Sequence, residues 1–442
     1  MWQPGFLFGA ATSSYQIEGA TKEGGRLPSI WDTFCATPGK VRGGDTGEIA
    51  CDHYHRHDAD IALLRRLGFG AYRFSISWPR VLDEKGRLNP RGVAFYQRLL
   101  DSLDARGVRK YATLYHWDLP QHLQDRGGWL HRDTACRFAD YAEAMGRALA
   151  GRIDGWMTLN EPWCSAYLGH VDGRHAPGLT GARRGVQAMH HLLLGHGLAT
   201  TALRAGDTAP VGLVTSVCEV APASGSFADR AAAELAAACA NHWVLEPVLQ
   251  GRYPAALATL WPDAPPPVRA GDLETIAVPM DFLGINYYFR QVVAGDGARG
   301  FVERPLPDVE RTQMGWEVYP RGLRNLLVGF KRRYRALPPI YITENGMASD
   351  DVIANGRVHD EQRVRYFNSH LAAVDEAMRL GVDVRGYFAW SLLDNFEWDH
   401  GYEKRFGIVH TDYATLRRTP KDSALAFQAF FEKRAANVYA AA

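Results

Sequence analysis

Eight short apolar runs recur along this chain, and each is followed by a longer amphipathic stretch. The runs lie at 6–10, 71–76, 110–115, 155–159, 211–215, 282–285, 340–343 and 386–390. Each is largely apolar on both faces, as strands of a parallel sheet are when helices cover it. Helical periodicity fills the intervals at 58–67, 90–106, 133–150, 183–205, 229–249, 321–335 and 360–380, with a last stretch near 421–435. Within 58–67, Ile61, Leu64 and Leu67 share one face and Gly68 supplies a stop, while Pro90 suits a first helical turn. Strands alternating with helices argue for parallel βαβ units. Eight such units closing on themselves predict an α/β fold, a (β/α)8 TIM barrel, as one domain over 1–442. An open doubly wound sheet is the competing reading. Against it, no G-x-G-x-x-G opens a helix and no Walker A loop is present.

Two segments stand outside this pattern. The Pro-rich stretch 263–268 is short and reads as a rigid surface turn. The stretch 294–320 is long, polar and Gly-rich at its start. Loops of that length are usually functional, and after a barrel strand such a loop lies over the active-site face.

Charge and cysteine usage narrow the partners. A net charge of +1 gives no support for nucleic acid or an anionic membrane. The six cysteines form no C-x-x-C or other metal-type spacing and read as reduced, mostly buried thiols of a cytoplasmic protein. Residues 6–11 are apolar, but no basic region precedes them, so no signal peptide is expected. No apolar run is long enough to span a bilayer.

In a TIM barrel, catalytic groups emerge where strands end at the C-terminal face. Here Gln16 and Glu18 follow the first strand, and Arg73, Ser75 and Trp78 lie in and after the second. His116, Trp117 and Asp118 follow the third, and Asn160, Glu161, Pro162 and Trp163 the fourth. Asn286, Tyr287 and Tyr288 follow the sixth, Glu344 and Asn345 the seventh, and Trp390, Glu397 and Trp398 the eighth. One polar or aromatic cluster at a strand end means little. Clusters at nearly every end, aimed at one mouth, make a site. Glu161 and Glu344 each follow an apolar strand directly, where a carboxylate is costly without a partner or a task. A structural ion pair is the plain alternative for either one alone. Together they suit glycoside hydrolysis: an acid protonates the leaving oxygen while a second carboxylate attacks C1. Retaining enzymes hold the two about 5–5.5 Å apart.

Six stretches now converge: FLFGAATSSYQIEG at 6–19, YRFSISWPR at 72–80, TLNEP at 158–162, GINYY at 284–288, ITENG at 342–346, and WSLLDNFEW at 390–398 followed by Arg405, Phe406 and Gly407. In this order and spacing the chain resembles the family-one glycoside hydrolases over nearly its whole length. The resemblance implies a retaining β-glucosidase that needs no cofactor or metal and takes a small-molecule β-glycoside. It implies Glu161 as acid/base, Glu344 as nucleophile and Asn160 on the sugar 2-hydroxyl. Gln16, His116, Glu397 and Trp398 would bind the other hydroxyls over a Trp390 floor, with Trp117, Asn286 and Phe406 also at the sugar site. Tyr288 and Arg73 would keep Glu344 ionised, and its charge would raise the pKa of Glu161. Trp163 and Cys164 would wall the aglycone side.

His53, His55 and His57, beside Cys51, Asp52 and Asp58, resemble a metal cluster. The run leads into a helix, where spacing two shares no face, so a solvated or capping segment is expected. His190, His191 and His196 read as helix packing. A 6-phospho-β-glycosidase is disfavoured because Glu397 would repel a phosphate, although Lys404 is near in sequence. A sugar-binding pseudoenzyme is disfavoured because both glutamates are present. Transglycosylation would use the same residues. Sugar preference and oligomeric state stay open at this level.

Overall fold

The computed structural model describes residues 2–3, 5–297 and 300–441. Its centre is a sheet of eight parallel strands: β1 (Leu7–Ala11), β2 (Ala71–Ser75), β3 (Arg109–Tyr115), β4 (Gly155–Asn160), β5 (Val211–Pro222), β6 (Phe282–Ala294), β7 (Ile340–Asn345) and β8 (Val384–Trp390). Each pairs with its neighbours in chain order, and β8 pairs back to β1 from Leu7↔Gly386 to Ala11↔Trp390. The sheet therefore closes, and the expected (β/α)8 barrel is the fold.

The main helices are α1 (His53–Arg66), α2 (Pro90–Asp104), α3 (Asp133–Ala148), α4 (Ala182–Gly206), α5 (Phe227–Ala237), α6 (Pro320–Arg333), α7 (Glu361–Arg379) and α8 (Asp422–Ala441). Their apolar stripes form a continuous shell against the outside of the strands. A second, smaller cluster fills the barrel itself, where Tyr111, Phe282, Tyr341 and Phe388 meet with ring centroids 5.3–5.5 Å apart. Gly9 makes room for this plug, since a Cβ there would lie 2.4 Å from the Phe388 ring. The lower barrel is thus a packed core, and open space is confined to the upper mouth.

The structure departs from the sequence-level reading in three places. Helix α1 begins at His53, not 58, so the histidine run is its first turns. There His53 Nδ1 pairs with Asp60 at 2.8 Å, and His55 lies between Asp52 and Glu23. Among the described residues no group of three or more ligand-type side chains is placed to hold a metal. The stretch expected as one helix over 229–249 is α5, a wide turn at Ala238–His242 and a separate helix Trp243–Gln250.

Strands β5 and β6 run far past their apolar cores and stay paired from Glu219↔Arg290 to Pro222↔Val293. The polar residues of that extension concealed it from a reading of hydrophobic pattern. Within the long segment 294–320, Val302–Glu303 adds antiparallel to the end of β6; Ala298 and Arg299 lie outside the described residues. The α4 histidines His190, His191 and His196 pack against neighbouring elements: His190 bridges Tyr253 and Asp272, His191 meets the Trp129 carbonyl, and His196 meets Thr158. No described helix is long and apolar enough to cross a membrane.

Candidate active site

The mouth of the barrel holds a cavity of about 600 Å³. Glu161 and Glu344 both line it, from the ends of β4 and β7. Both carboxylates are buried, and of the two Glu344 alone has a cation within hydrogen-bond distance among the described residues.

Glu344 is the end of a cationic arrangement. Arg73, fully buried on β2, donates through Nη1 to Glu344 Oε1 and to the Thr343 carbonyl. Its Nη2 donates to Asn160 Oδ1 at 2.6 Å, and its Nε reaches Met157 Sδ at 3.2 Å. The Tyr288 hydroxyl donates to the other oxygen of Glu344 at 2.6 Å. Burial raises the Glu344 pKa from its ordinary value, and Arg73 and Tyr288 oppose that rise. The sequence reading counted their pull but not the size of the burial effect, which wins.

Among the described residues, the hydrogen-bond donors to Glu161 are neutral. Asn286 Nδ2 gives it a hydrogen bond of 2.8 Å on Oε1, and the Cys164 thiol gives one of 3.1 Å on Oε2. Its pKa is pushed up to about 7, first by burial and then by the charge of Glu344. The electrostatic coupling expected from sequence is present, but it comes second to desolvation. A cation beside one carboxyl and neutral donors beside the other mean that Glu344 loses its proton first.

Asn286 and Asn160 tie the two halves together. Asn160 Oδ1 accepts from both Arg73 and Asn286 Nδ2, the latter at 3.1 Å. That fixes the amide orientation and points Asn160 Nδ2 to His116 Nε2, at 3.1 Å. His116 Nε2 must then accept, so the neutral ring carries its proton on Nδ1. Burial and the nearby Arg73 push the His116 pKa well down, in keeping with a neutral ring. The Nδ1 atom is buried without a partner among the described residues, leaving a donor for a ligand.

The aromatic residues form the walls. The Trp390 indole and His116 ring stack at 5.9 Å, and the Trp117 and Trp398 rings lie 4.6 Å apart. The Trp117 indole N–H is used by the Asn160 carbonyl at 2.9 Å, so only its ring is offered to the cavity. Gln16 Nε2 donates to Asn395 Oδ1, the Phe396 carbonyl and, at 3.4 Å, Glu397 Oε2. Burial, then the neighbouring Asp399, Glu344 and Glu161 charges, raise the Glu397 pKa well above normal. Trp117, Glu161 and Trp398 have φ of +79°, +47° and +51°. Left-handed backbone at such residues costs about 1–3 kcal/mol each and clusters where side chains must be aimed.

The outer wall contains the expected Trp163 and Cys164, on the wide-turn helix Cys164–Asp172 that follows β4. It also contains residues that sequence reasoning missed as individuals. Met314 and Trp316 of segment 294–320 line the cavity, and Trp316 stacks on Phe289 at 5.2 Å and approaches Phe406 at 6.1 Å. The length of that segment after a strand was the available signal. His175 and Cys218 also line the cavity, and nothing in their local sequence marks them. Lys404, by contrast, donates to the Gln313 carbonyl at 3.1 Å and is not among the lining residues.

Comparison with known proteins finds relatives over nearly the whole chain. The model of glycosyl hydrolase family 1 matches residues 1–436. A β-glucosidase of Agrobacterium sp. is 47% identical over 425 residues, covering 95% of this chain and 92% of that protein. A bifunctional β-D-glucosidase/β-D-fucosidase of Bifidobacterium breve is 44% identical, covering 95% of each. The crystal structure of a β-glucosidase from Exiguobacterium antarcticum B7 superposes with a TM-score of 0.96 at 44% identity, over 98% of this chain and 99% of that one. With a closed barrel, two buried glutamates at one mouth and a family match over almost every residue, the chain belongs to glycosyl hydrolase family 1.

Proposed function

We propose that this protein hydrolyses terminal β-D-glucosides with retention of configuration, Glu344 acting as nucleophile and Glu161 as acid/base. The observation that carries the assignment is the unequal environment of two buried carboxylates in one cavity. Glu344 sits on a guanidinium and a phenol, and Glu161 on an amide and a thiol. In the first step, ionised Glu344 attacks C1 and the proton of Glu161 passes to the leaving oxygen. Glycosylation removes the charge of Glu344 and with it one cause of the raised Glu161 pKa. Glu161 then becomes the stronger acid, and as carboxylate it takes a proton from the attacking water.

The supporting residues take roles that fit their contacts. Asn160 retains a second amide hydrogen beyond the one on His116, suited to the sugar 2-hydroxyl. His116 Nδ1, Gln16, Glu397 and Trp398 surround the remaining hydroxyls above Trp390. Asn286 orients both Glu161 and Asn160, and Trp117 and Phe406 complete the wall. Trp163, Cys164, Met314 and Trp316 shape the aglycone side. Glu397 can accept from an equatorial or an axial 4-hydroxyl, so activity on β-galactosides and β-fucosides accompanies the β-glucosidase. A 6-phosphorylated sugar is disfavoured: the Glu397 carboxyl lines the cavity and would repel a phosphate, and Lys404 is tied to the Gln313 carbonyl.

Proton NMR of aryl β-D-glucoside hydrolysis, followed from the first minute, tests the mechanism. β-Glucose is expected first, and Glu344→Gln is expected to be nearly inactive. Appearance of α-glucose first would remove Glu344 from the nucleophile role.

A further inference from the structure

Glu161 has one partner whose chemistry the double-displacement scheme does not use. Its Oε2 receives the Cys164 thiol at 3.1 Å, while Oε1 receives the Asn286 amide. These two donors differ in kind. The Asn286 Nδ2 can only donate, so Oε1 cannot turn a proton toward it. A thiol is a weak donor and a weak acceptor, and tolerates either state of the oxygen opposite. The thiol is fixed in place: Cys164 is buried at the start of the wide-turn helix Cys164–Asp172, and its backbone N–H returns to the Glu161 carbonyl at 2.9 Å. The Ser216 hydroxyl on β5 also hydrogen-bonds the sulfur. Glu161 itself stands in left-handed backbone, which aims its carboxyl between these two partners.

We infer that Cys164 is a positioning residue for the acid/base, its thiol donating to Oε2 of Glu161 when that carboxyl is ionised and yielding to the proton when it is not. A stronger, donor-only partner would stabilise the carboxylate, lower the Glu161 pKa and leave less of it protonated for the first step. An apolar partner would leave Oε2 buried without a donor in the second step. Burial and the adjacent carboxylate push the thiol pKa well above its ordinary value, so the sulfur keeps its hydrogen across the working range. The inference rests on Glu161 being the acid/base.

The test is the basic limb of the kcat/KM profile for phenyl β-D-glucoside in wild type, Cys164→Ala and Cys164→Ser. Loss of the thiol donor in Cys164→Ala should move the limb to higher pH by about half a unit to one unit, the size of one hydrogen bond. Cys164→Ser keeps a hydroxyl donor and should return the limb toward wild type. Cys164→Ala should also lose about 3–10-fold in kcat/KM on phenyl glucoside, and little on 2,4-dinitrophenyl glucoside, whose leaving group needs no acid. If Cys164→Ala does not fold, Cys164→Val, which keeps bulk without a donor, takes its place. An unmoved limb, equal movement in the alanine and serine variants, or equal loss on both substrates overturns the inference and leaves Cys164 as packing. Glu161→Gln separates the two levels. If it keeps the wild-type basic limb, the acid/base assignment itself fails. If it abolishes that limb while the Cys164 variants leave it in place, only the role of Cys164 fails.

Discussion

At the scale of single residues, the site works by giving two identical side chains unequal surroundings. Activity needs Glu344 ionised and Glu161 protonated, so the pH profile is a bell. The basic limb falls as pH rises through the Glu161 pKa, which burial and Glu344 push up to about 7. The acid limb falls as pH drops through the Glu344 pKa, which burial raises above its ordinary value. Arg73→Met removes the cation opposing that rise. The acid limb of kcat/KM should then move to higher pH by about 1–3 units, and pH–rate measurement reads it directly. Glu161→Gln should slow poor leaving groups by about 10²–10⁴-fold, the usual worth of a positioned acid, while dinitrophenyl glucoside loses far less in the same assay. Asn160→Ala should lower kcat more than it raises KM, because hydrogen bonds to the 2-hydroxyl strengthen in the transition state.

At the scale of elements, the strand ends set the position of every reacting group, and small residues allow them to come close. Gly346 follows β7 where the chain passes the end of β8, and a Cβ there would lie 1.8 Å from the Trp390 carbonyl oxygen. Gly346→Ala must therefore move Trp390, the floor of the sugar site, relative to Glu344. A misplacement of about 1 Å costs about 10²-fold in rate, so kcat/KM should fall by that order while far-UV circular dichroism stays native. The sequence displayed the eight strands and most helices because their periodicity is local. It did not display the extensions of β5 and β6, whose residues are polar and are ordered by pairing with each other and with Val302–Glu303. It placed the start of α1 five residues late because the histidine run carries no apolar stripe, and the His53–Asp60 contact that supports it spans two turns.

At the scale of the whole molecule, a buried charge network anchors the loop after β8 that carries Glu397 and Trp398. Asp394 in that loop accepts from Lys421 Nζ at 2.6 Å and from Arg405 at 2.8 Å. Lys421 also reaches Asp351, which Arg363 of α7 holds in turn at 2.7 Å. Lys421, Asp394, Asp351 and Arg363 are all buried, so each depends on the others for solvation. Lys421→Met leaves two carboxylates without their shared cation. Breaking one side of such a buried arrangement costs about 3–5 kcal/mol, which a lowered denaturation midpoint would report. KM should rise as the Glu397 loop loosens.

What the sequence determined by itself is the local grammar: short apolar runs, helical stripes, turn residues, and the placing of Glu161 and Glu344 directly after apolar strands. These follow from side-chain chemistry within a few residues along the chain, so they are legible without coordinates. Only the tertiary structure decided that the Cys164 thiol reaches Glu161, which way the Asn160 amide turns, and that Met314, Trp316, His175 and Cys218 share one cavity. Those facts depend on barrel closure, which brings Arg73, Asn160, Asn286 and Glu344 from four strands into hydrogen-bond contact. Burial by the whole fold, more than any neighbour in sequence, then sets how tightly each carboxyl keeps its proton.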